Sequence, residues 1–447
     1  MLRVFALSLC ILTAHARRSA NADLLEDLLR TTDLAERYSS NIIEDAFLDA
    51  RMPVKLFTHF IFTYWPFLLN YNWNGLAKKY GYPFEEHQVV TEDGYILGLH
   101  RIPHGRDQNN VPGPRPAVLV MHGLFSSSAD FIILGPGIAM AYIFAEAGYD
   151  VWLGNARGTY YSRKHVSINP NDKRGIYWDF SWDEIGNRDL PAMIDYILHA
   201  TGNPGVHYIG MSQGTTTFFT MGSLRPEYNS KIISMHALAP VAYLAHNKQK
   251  LFHVLAKHGN TLETIMGLLG LKELLPNNVL MTILGIALCS DDSPFQPLCS
   301  AVIFAIAGYN PAQHNATMLP AKIGHAPAGA SLRQLVHYGQ SITDKDFRRY
   351  DHGALRNLLE YGTLAPPKYR LSQVTAPVYL HYSVNDPLAE IEDVQRLHRE
   401  LGGPAKMLRV PDPTFTHIDF MWGIDAKTLV FDRVIEIMRL YDNDLRK

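Results

Sequence analysis

The chain has 447 residues, enough for two or three structural units each with its own core. Hydrophobic residues make up 47% and charged residues 19%, the balance of a packed globular protein and not of a disordered one. With 41 Lys plus Arg against 43 Asp plus Glu, the formal net charge is -2, so there is no positive field to draw in a phosphate backbone and nucleic acid is not the expected partner.

Residues 1–16 read as an export signal: Arg3 precedes an apolar run from Val4 to Ala14, and small residues at Ala14 and Ala16 set the expected cleavage after Ala16. The run is too short to span a bilayer. A secretory destination follows, secreted or lysosomal. Residues 17–79 open with charged helical patterning from Leu24 to Leu48 and continue into an almost uncharged, aromatic-rich run, Leu56 to Trp73. Pro66 and several Asn argue against a membrane-spanning helix there. This extension could pack on the main domain, act as a removable pro-segment, or lie on lipid.

From residue 80 the pattern changes. His87 to Thr91 and Tyr95 to Ile102 are β-rich and flank Glu92-Asp93-Gly94, which predicts a hairpin. Ala117 to Met121, Tyr149 to Leu153, Val206 to Gly210 and Ile232 to Leu238 read as buried strands. Between them fall helical segments at Ile138 to Ala147, Ile185 to His199 (with Pro191 near its true first turn) and Thr215 to Leu224. Such alternation implies right-handed crossovers and a mostly parallel sheet covered on both faces, an α/β class. Residues 241–371 read mainly as helices broken by Gly and Pro, including the apolar stretches Val279 to Leu288 and Ala301 to Ala307. Val378 to Tyr382, Leu388 to Leu401 and Lys406 to Val410 then restore strand, helix, strand. The expected organisation is a core over 80–240 and 372–447 with a helical insertion over 241–371.

Gly210-Met211-Ser212-Gln213-Gly214 matches G-x-S-x-G between a predicted strand and a predicted helix, where small flanking residues permit the strained turn that exposes a serine hydroxyl. The alternative is a tight turn with an incidental serine. A serine hydroxyl needs a neighbouring imidazole, oriented by a carboxylate, to act as a nucleophile. Asp386 follows the strand Val378 to Tyr382, and His417 follows the strand Lys406 to Val410, so the order Ser212, Asp386, His417 suits this architecture. Taken singly, Asp386 is also a good turn residue and His417 is one of 20 histidines. Asp412 and Asp419 are rival acids on the loop of His417 itself, poorly placed to reach its far nitrogen, and His236 and His381 lie within strands. The expected oxyanion donors are the backbone N–H groups of Gln213 and of Leu124, in His122-Gly123-Leu124-Phe125.

In the mature chain two cysteines remain, Cys289 and Cys299, which are expected to pair in an oxidising compartment, free buried thiols being the alternative. Asn315-Ala316-Thr317 is the sole glycosylation sequon. Neither H-E-x-x-H nor a P-loop occurs, and no G-x-G-x-x-G follows a strand, so no metal and no organic cofactor is expected.

Several runs together resemble the acid lipase family that includes gastric and lysosomal acid lipases: Val90 to Leu97, His122-Gly123-Leu124, Gly154-Asn155-Ala156-Arg157-Gly158, Phe180 to Glu184, the Ser212 pentapeptide, Asn385-Asp386 and His417 to Phe420. The resemblance runs from about Tyr80 to the C-terminus. It implies an α/β-hydrolase core with a helical cap and lid, hydrolysis of triacylglycerols or sterol esters, a Ser212, Asp386, His417 triad and a disulfide in the cap. Asn155, Arg157 and Trp182 fall in motifs read as structural supports. Phe125 stands where the family has a second Leu, Arg157-Gly158-Thr159-Tyr160-Tyr161 departs from its usual Gly-Asn, and residues 17–79 exceed its usual lead-in. A secreted or lysosomal esterase or lipase that cleaves long-chain acyl esters through an acyl-enzyme is the expected function, with a lipid ester as substrate and the lipid-water interface as a candidate partner. The competing readings are a non-catalytic lipid carrier and a short-chain carboxylesterase or acyltransferase.

Overall fold

The computed structural model describes residues 79–445 apart from 173, 278–284, 286, 287 and 292. The expected signal, the aromatic-rich run 56–73 and most of the apolar stretch 279–288 lie outside the described residues.

The first hairpin forms as its sequence predicts: β1 (Glu85–Val90) pairs antiparallel with β2 (Tyr95–Ile102) around the turn at Gly94. Then come β3 (Ala117–Met121), β4 (Asp150–Gly154), a short β5 (Lys164–His165), β6 (Val206–Met211) and β7 (Ile232–Leu238), followed much later by β10 (Val378–Tyr382) and β11 (Ala405–Arg409). The sheet order is β1-β2-β4-β3-β6-β7-β10-β11, with β5 beside β2, and all pairings from β4 to β11 are parallel. Every residue of β3, β4 and β6 is buried, so these central strands are covered on both faces. That is why they read as unbroken apolar runs and not as alternating ones. Parallel pairing also puts the C-terminal ends of β3, β6 and β10 along one edge, where an open α/β sheet carries its ligands.

Between β7 and β10 the chain forms helices Lys250–Leu268, Gln296–Ala307, Leu319–His325, Leu332–Asp344 and Ala354–Tyr361. It also forms a two-stranded ribbon that periodicity did not announce, β8 (Glu273–Leu274) with β9 (Ala330–Ser331). Cys289 and Cys299 are joined by a disulfide within this region. The helix expected from Ile185 is present within a continuous helical run, Trp182–Glu184, a π-helical stretch Ile185–Asp189 and Leu190–Thr201, with Pro191 just after the wide turn. Its start at Trp182 is capped by Ser181 and Glu184 in a reciprocal capping box. The C-terminal helix Asp432–Leu445 closes the chain.

Candidate active site

Ser212 occupies the one-residue corner between β6 and helix Gln213–Leu224, with φ 53° and ψ -115°, a conformation that a non-glycine residue adopts only under constraint. The two glycines of the pentapeptide explain how the corner is so tight. A Cβ on Gly210 would lie 2.6 Å from the Gly214 carbonyl oxygen, and one on Gly214 would lie 2.4 Å from that of Met121. The helix therefore starts against the end of β3, and the Tyr208 hydroxyl donates to the Gly214 carbonyl at 2.7 Å to hold it there. Gln213 is the first helical residue, and N–H groups in the first turn of a helix have no intrahelical acceptor. Gly123 meets the same corner from the other side: a Cβ there would approach Cβ of Ser212 to 3.2 Å. This close approach sets the backbone of the His122-Gly123-Leu124 loop beside the serine.

The structure brings Ser212, His417 and Asp386 into one hydrogen-bonded chain. His417 Nε2 lies 2.8 Å from Ser212 Oγ, across 205 residues of sequence. His417 Nδ1 lies 2.8 Å from Asp386 Oδ2 and 3.0 Å from Oδ1. Asp386 is 3% exposed, and its Oδ1 also accepts the backbone N–H groups of Leu388 at 2.8 Å and Ala389 at 2.9 Å. Those two donors fix the orientation of the carboxyl group toward the imidazole. Asn385 Nδ2 donates to the Thr414 carbonyl at 2.8 Å, tying the aspartate loop to the histidine loop, and the His417 N–H donates to the Ala307 carbonyl at 3.2 Å.

The rival groups are engaged elsewhere. Asp412 accepts from Thr414 N–H and hydroxyl, and Asp419 from Thr416 N–H, Thr416 hydroxyl and Asn310. His236 and His381 contact each other at 3.2 Å inside the sheet, where burial holds the His381 imidazole down to about 3. His122 is locked as a neutral ring: Nδ1 donates to the Gly123 carbonyl, Nε2 accepts the Ala156 N–H at 3.1 Å, and burial lowers its pKa to about 4. The residues read as supports are all interior. Asn155 accepts the Ser128 N–H and donates to the Gly98 carbonyl. Arg157, 1% exposed, pairs with Asp189 at 2.6 Å and Asp93 at 2.7 Å. Trp182 stacks on His337 with ring centroids 3.6 Å apart.

Two contacts in the site carried no local signal in the sequence. Phe125, next to Leu124, has φ 61°, and its carbonyl accepts the Ala328 N–H at 2.7 Å. Gln213 Nε2 donates to Gln334 Oε1 at 2.7 Å. Ala328 and Gln334 both lie where the helical insertion returns to the core. Among the described residues no group of three or more His, Cys, Asp or Glu could hold a metal ion.

Residues 74–135 match the model of a partial alpha/beta-hydrolase lipase region, and residues 116–266 that of the alpha/beta hydrolase fold. The chain is 43% identical to Lipase 3 of Drosophila melanogaster, over 81% of this chain and 91% of that protein. It is 37% identical to gastric triacylglycerol lipase of Bos taurus, over 82% and 91%, and 35% identical to lysosomal acid lipase/cholesteryl ester hydrolase of Homo sapiens, over 83% and 92%. A crystal structure from Sulfolobus solfataricus shares the fold with a TM-score of 0.50 at 13% identity, covering 80% of this chain and 99% of that one. The chain belongs to the acid lipase family of α/β-hydrolase enzymes, with the gastric and lysosomal lipases.

Proposed function

We propose that the chain hydrolyses long-chain acyl esters, triacylglycerols or sterol esters, through an acyl-enzyme on Ser212. The observation that carries this reading is the single line of contacts from Ser212 Oγ through both ring nitrogens of His417 to Asp386. His417 Nε2 takes the proton as Ser212 Oγ attacks the ester carbonyl, then returns it to the leaving alcohol. Asp386 keeps the other ring nitrogen protonated and balances the imidazolium. The backbone N–H groups of Gln213 and Leu124 receive the negative oxygen of the tetrahedral intermediate, each such donor being worth about a hundredfold or more in rate. Water, activated by the same His417, then frees the acid and restores Ser212.

Support for a long acyl chain comes from the similarity to a gastric triacylglycerol lipase and to a lysosomal acid lipase/cholesteryl ester hydrolase. The residues between β7 and β10 also expose large apolar side chains, among them Leu268 at 84% and Tyr309 at 69%. We assign 241–371 the role of a cap over the serine. The disulfide suits an oxidising compartment and so a secreted or lysosomal destination, and Asn315, half-buried with its side chain accepting from Thr317, is the candidate glycosylation site. No helix among the described residues is long and apolar enough to cross a membrane.

The test compares wild type with Ser212→Ala on soluble short-chain esters and on long-chain emulsions. Wild type is expected to cleave both, and Ser212→Ala to lose about ten-thousand-fold or more in turnover. Equal activity in the two proteins would remove the catalytic reading. Turnover of short esters alone would redirect it to a carboxylesterase, and binding without turnover to a lipid carrier.

A further inference from the structure

The residue that follows Ser212 is held by more than its helix. The Gln213 side chain is 3% exposed, and its Nε2 donates to Oε1 of Gln334, 121 residues further along the chain. Gln334 is also 3% exposed and sits in the first turn of helix Leu332–Asp344, where its own N–H is capped by the Ser331 hydroxyl. The acceptor that meets Gln213 therefore stands on a fixed base. Among the described residues the other end of the Gln213 amide, Oε1, is buried without a hydrogen-bond partner. Two apolar side chains of similar shape would fill such a space with no orphaned acceptor, so packing alone gives no reason for an amide at both positions. What the pair does supply is direction: it fixes one rotamer of the residue whose N–H must face the reacting carbonyl. The same return of the insertion acts on the opposite side of the serine, where the Ala328 N–H holds the carbonyl of Phe125, the neighbour of Leu124.

We propose that Gln334 is a positioning residue for the oxyanion site, acting through Gln213. The proposal rests on the serine-hydrolase reading above. An oxyanion donor is effective only within about 2.7–3.1 Å of the oxygen it stabilises, so a first helical turn free to relax by a few tenths of an ångström loses rate without losing substrate affinity. The insertion is then more than a cover, since its return strand and helix fix the frame in which the transition state is bound.

Two variants of the full chain test this, measured beside Ser212→Ala. Gln334→Asn falls one methylene short of Gln213 Nε2, whereas Gln334→Glu keeps an acceptor oxygen in reach. The readouts are kcat and KM on a soluble p-nitrophenyl ester, the rate of inactivation by a p-nitrophenyl alkylphosphonate (which develops a charged oxygen in the same place) and the Tm. In Gln334→Asn, kcat and the inactivation rate are expected to fall together by about ten- to a hundredfold, with KM within about twofold and an unshifted pH profile, because His417 and Asp386 are untouched. In Gln334→Glu burial is expected to keep the new carboxyl protonated, so that it accepts from Gln213 Nε2 without adding charge beside the oxyanion and recovers most of that loss. Wild-type kcat in Gln334→Asn overturns the proposal, and so does a loss shared equally by both variants that follows Tm. A Gln334→Asn chain that fails to fold also counts against it, since the amide pair would then be holding the fold. Activity surviving in Ser212→Ala would instead remove the underlying hydrolase reading, so the two failures are told apart.

Discussion

Asp386→Asn isolates what the buried carboxylate contributes, because it changes charge and hydrogen-bond direction at almost constant volume. Oδ1 of Asp386 accepts two backbone N–H groups, from Leu388 and Ala389, which are fixed by the chain and can only donate. In the variant the amide oxygen must stay with those two donors, since the reverse orientation would set an NH2 group against both, at a cost of about 2–3 kcal/mol. The amide nitrogen therefore takes the place of Oδ2 and donates to His417 Nδ1, now 2.8 Å from that oxygen. An imidazole that accepts at Nδ1 carries its proton on Nε2. Its Nε2 then donates toward Ser212 Oγ and has no lone pair with which to take the serine proton. The expected loss in kcat is about ten-thousand-fold, equivalent to about 5.5 kcal/mol, with the Tm little changed and KM close to wild type. The assay is steady-state hydrolysis of a soluble p-nitrophenyl ester, with Asp412→Asn as the control. Asp412 caps Thr414 and touches no member of the chain of three, so its variant is expected within about twofold of wild type. Asp386→Asn retaining a tenth or more of wild-type kcat would refute the assignment of Asp386 as the group that orients the base.

Gly214→Ala places a Cβ 2.4 Å from the Met121 carbonyl, backbone against backbone, and is expected to lose about 3 kcal/mol in urea unfolding, while Gly113→Ala, with nothing within 4 Å, stays within about 0.5 kcal/mol. Acidification acts through the buried histidines. His381 is held near 3 by burial against an ordinary 6.5, so the unfolded chain binds the extra proton first, and this share of stability is complete above about pH 6.5 and lost as pH falls toward 3. Between pH 7.5 and 5, wild type should therefore lose about 2 kcal/mol more than His381→Gln. Asp130, raised to about 6 by burial, works in the opposite direction and is common to both proteins, so equal slopes in the two would contradict the account.

Where burial is two-sided the sequence was a direct record of the structure. Ala117–Met121, Ile232–Leu238 and Val378–Tyr382 form strands with the predicted boundaries, each inside the sheet with a parallel neighbour on either edge and mostly buried. The helix expected over Ile185 to His199 forms, but it begins three residues earlier, and Ile185–Asp189 make a wider π-helical stretch within it. A better signal was present in Ser181 and Glu184, three residues apart, which form the capping box that sets the local start at Trp182. The C-terminal helix Asp432–Leu445 went unread, although its Asp442 reaches back to His207 and Tyr149 under the sheet.

The site divides in the same way. Ser212 is legible because its corner is made by neighbours: Gly210 and Gly214 are two residues away on either side, and their need for space is local. Asp386 and His417 are legible only once the sheet is assumed, since parallel neighbours β6, β7, β10 and β11 return their C-terminal ends to one edge whatever the length of chain between them. The pairs that orient the site have neither advantage. Gln213 with Gln334, Phe125 with Ala328, and His417 with Ala307 are each joined by one hydrogen bond across an insertion whose path no periodicity encodes. Two of these three use backbone groups, which every residue type supplies equally, so no amino acid marks them. The chemistry of the serine is therefore written in residue identity, and the geometry that would make it fast is written largely in the path of the chain.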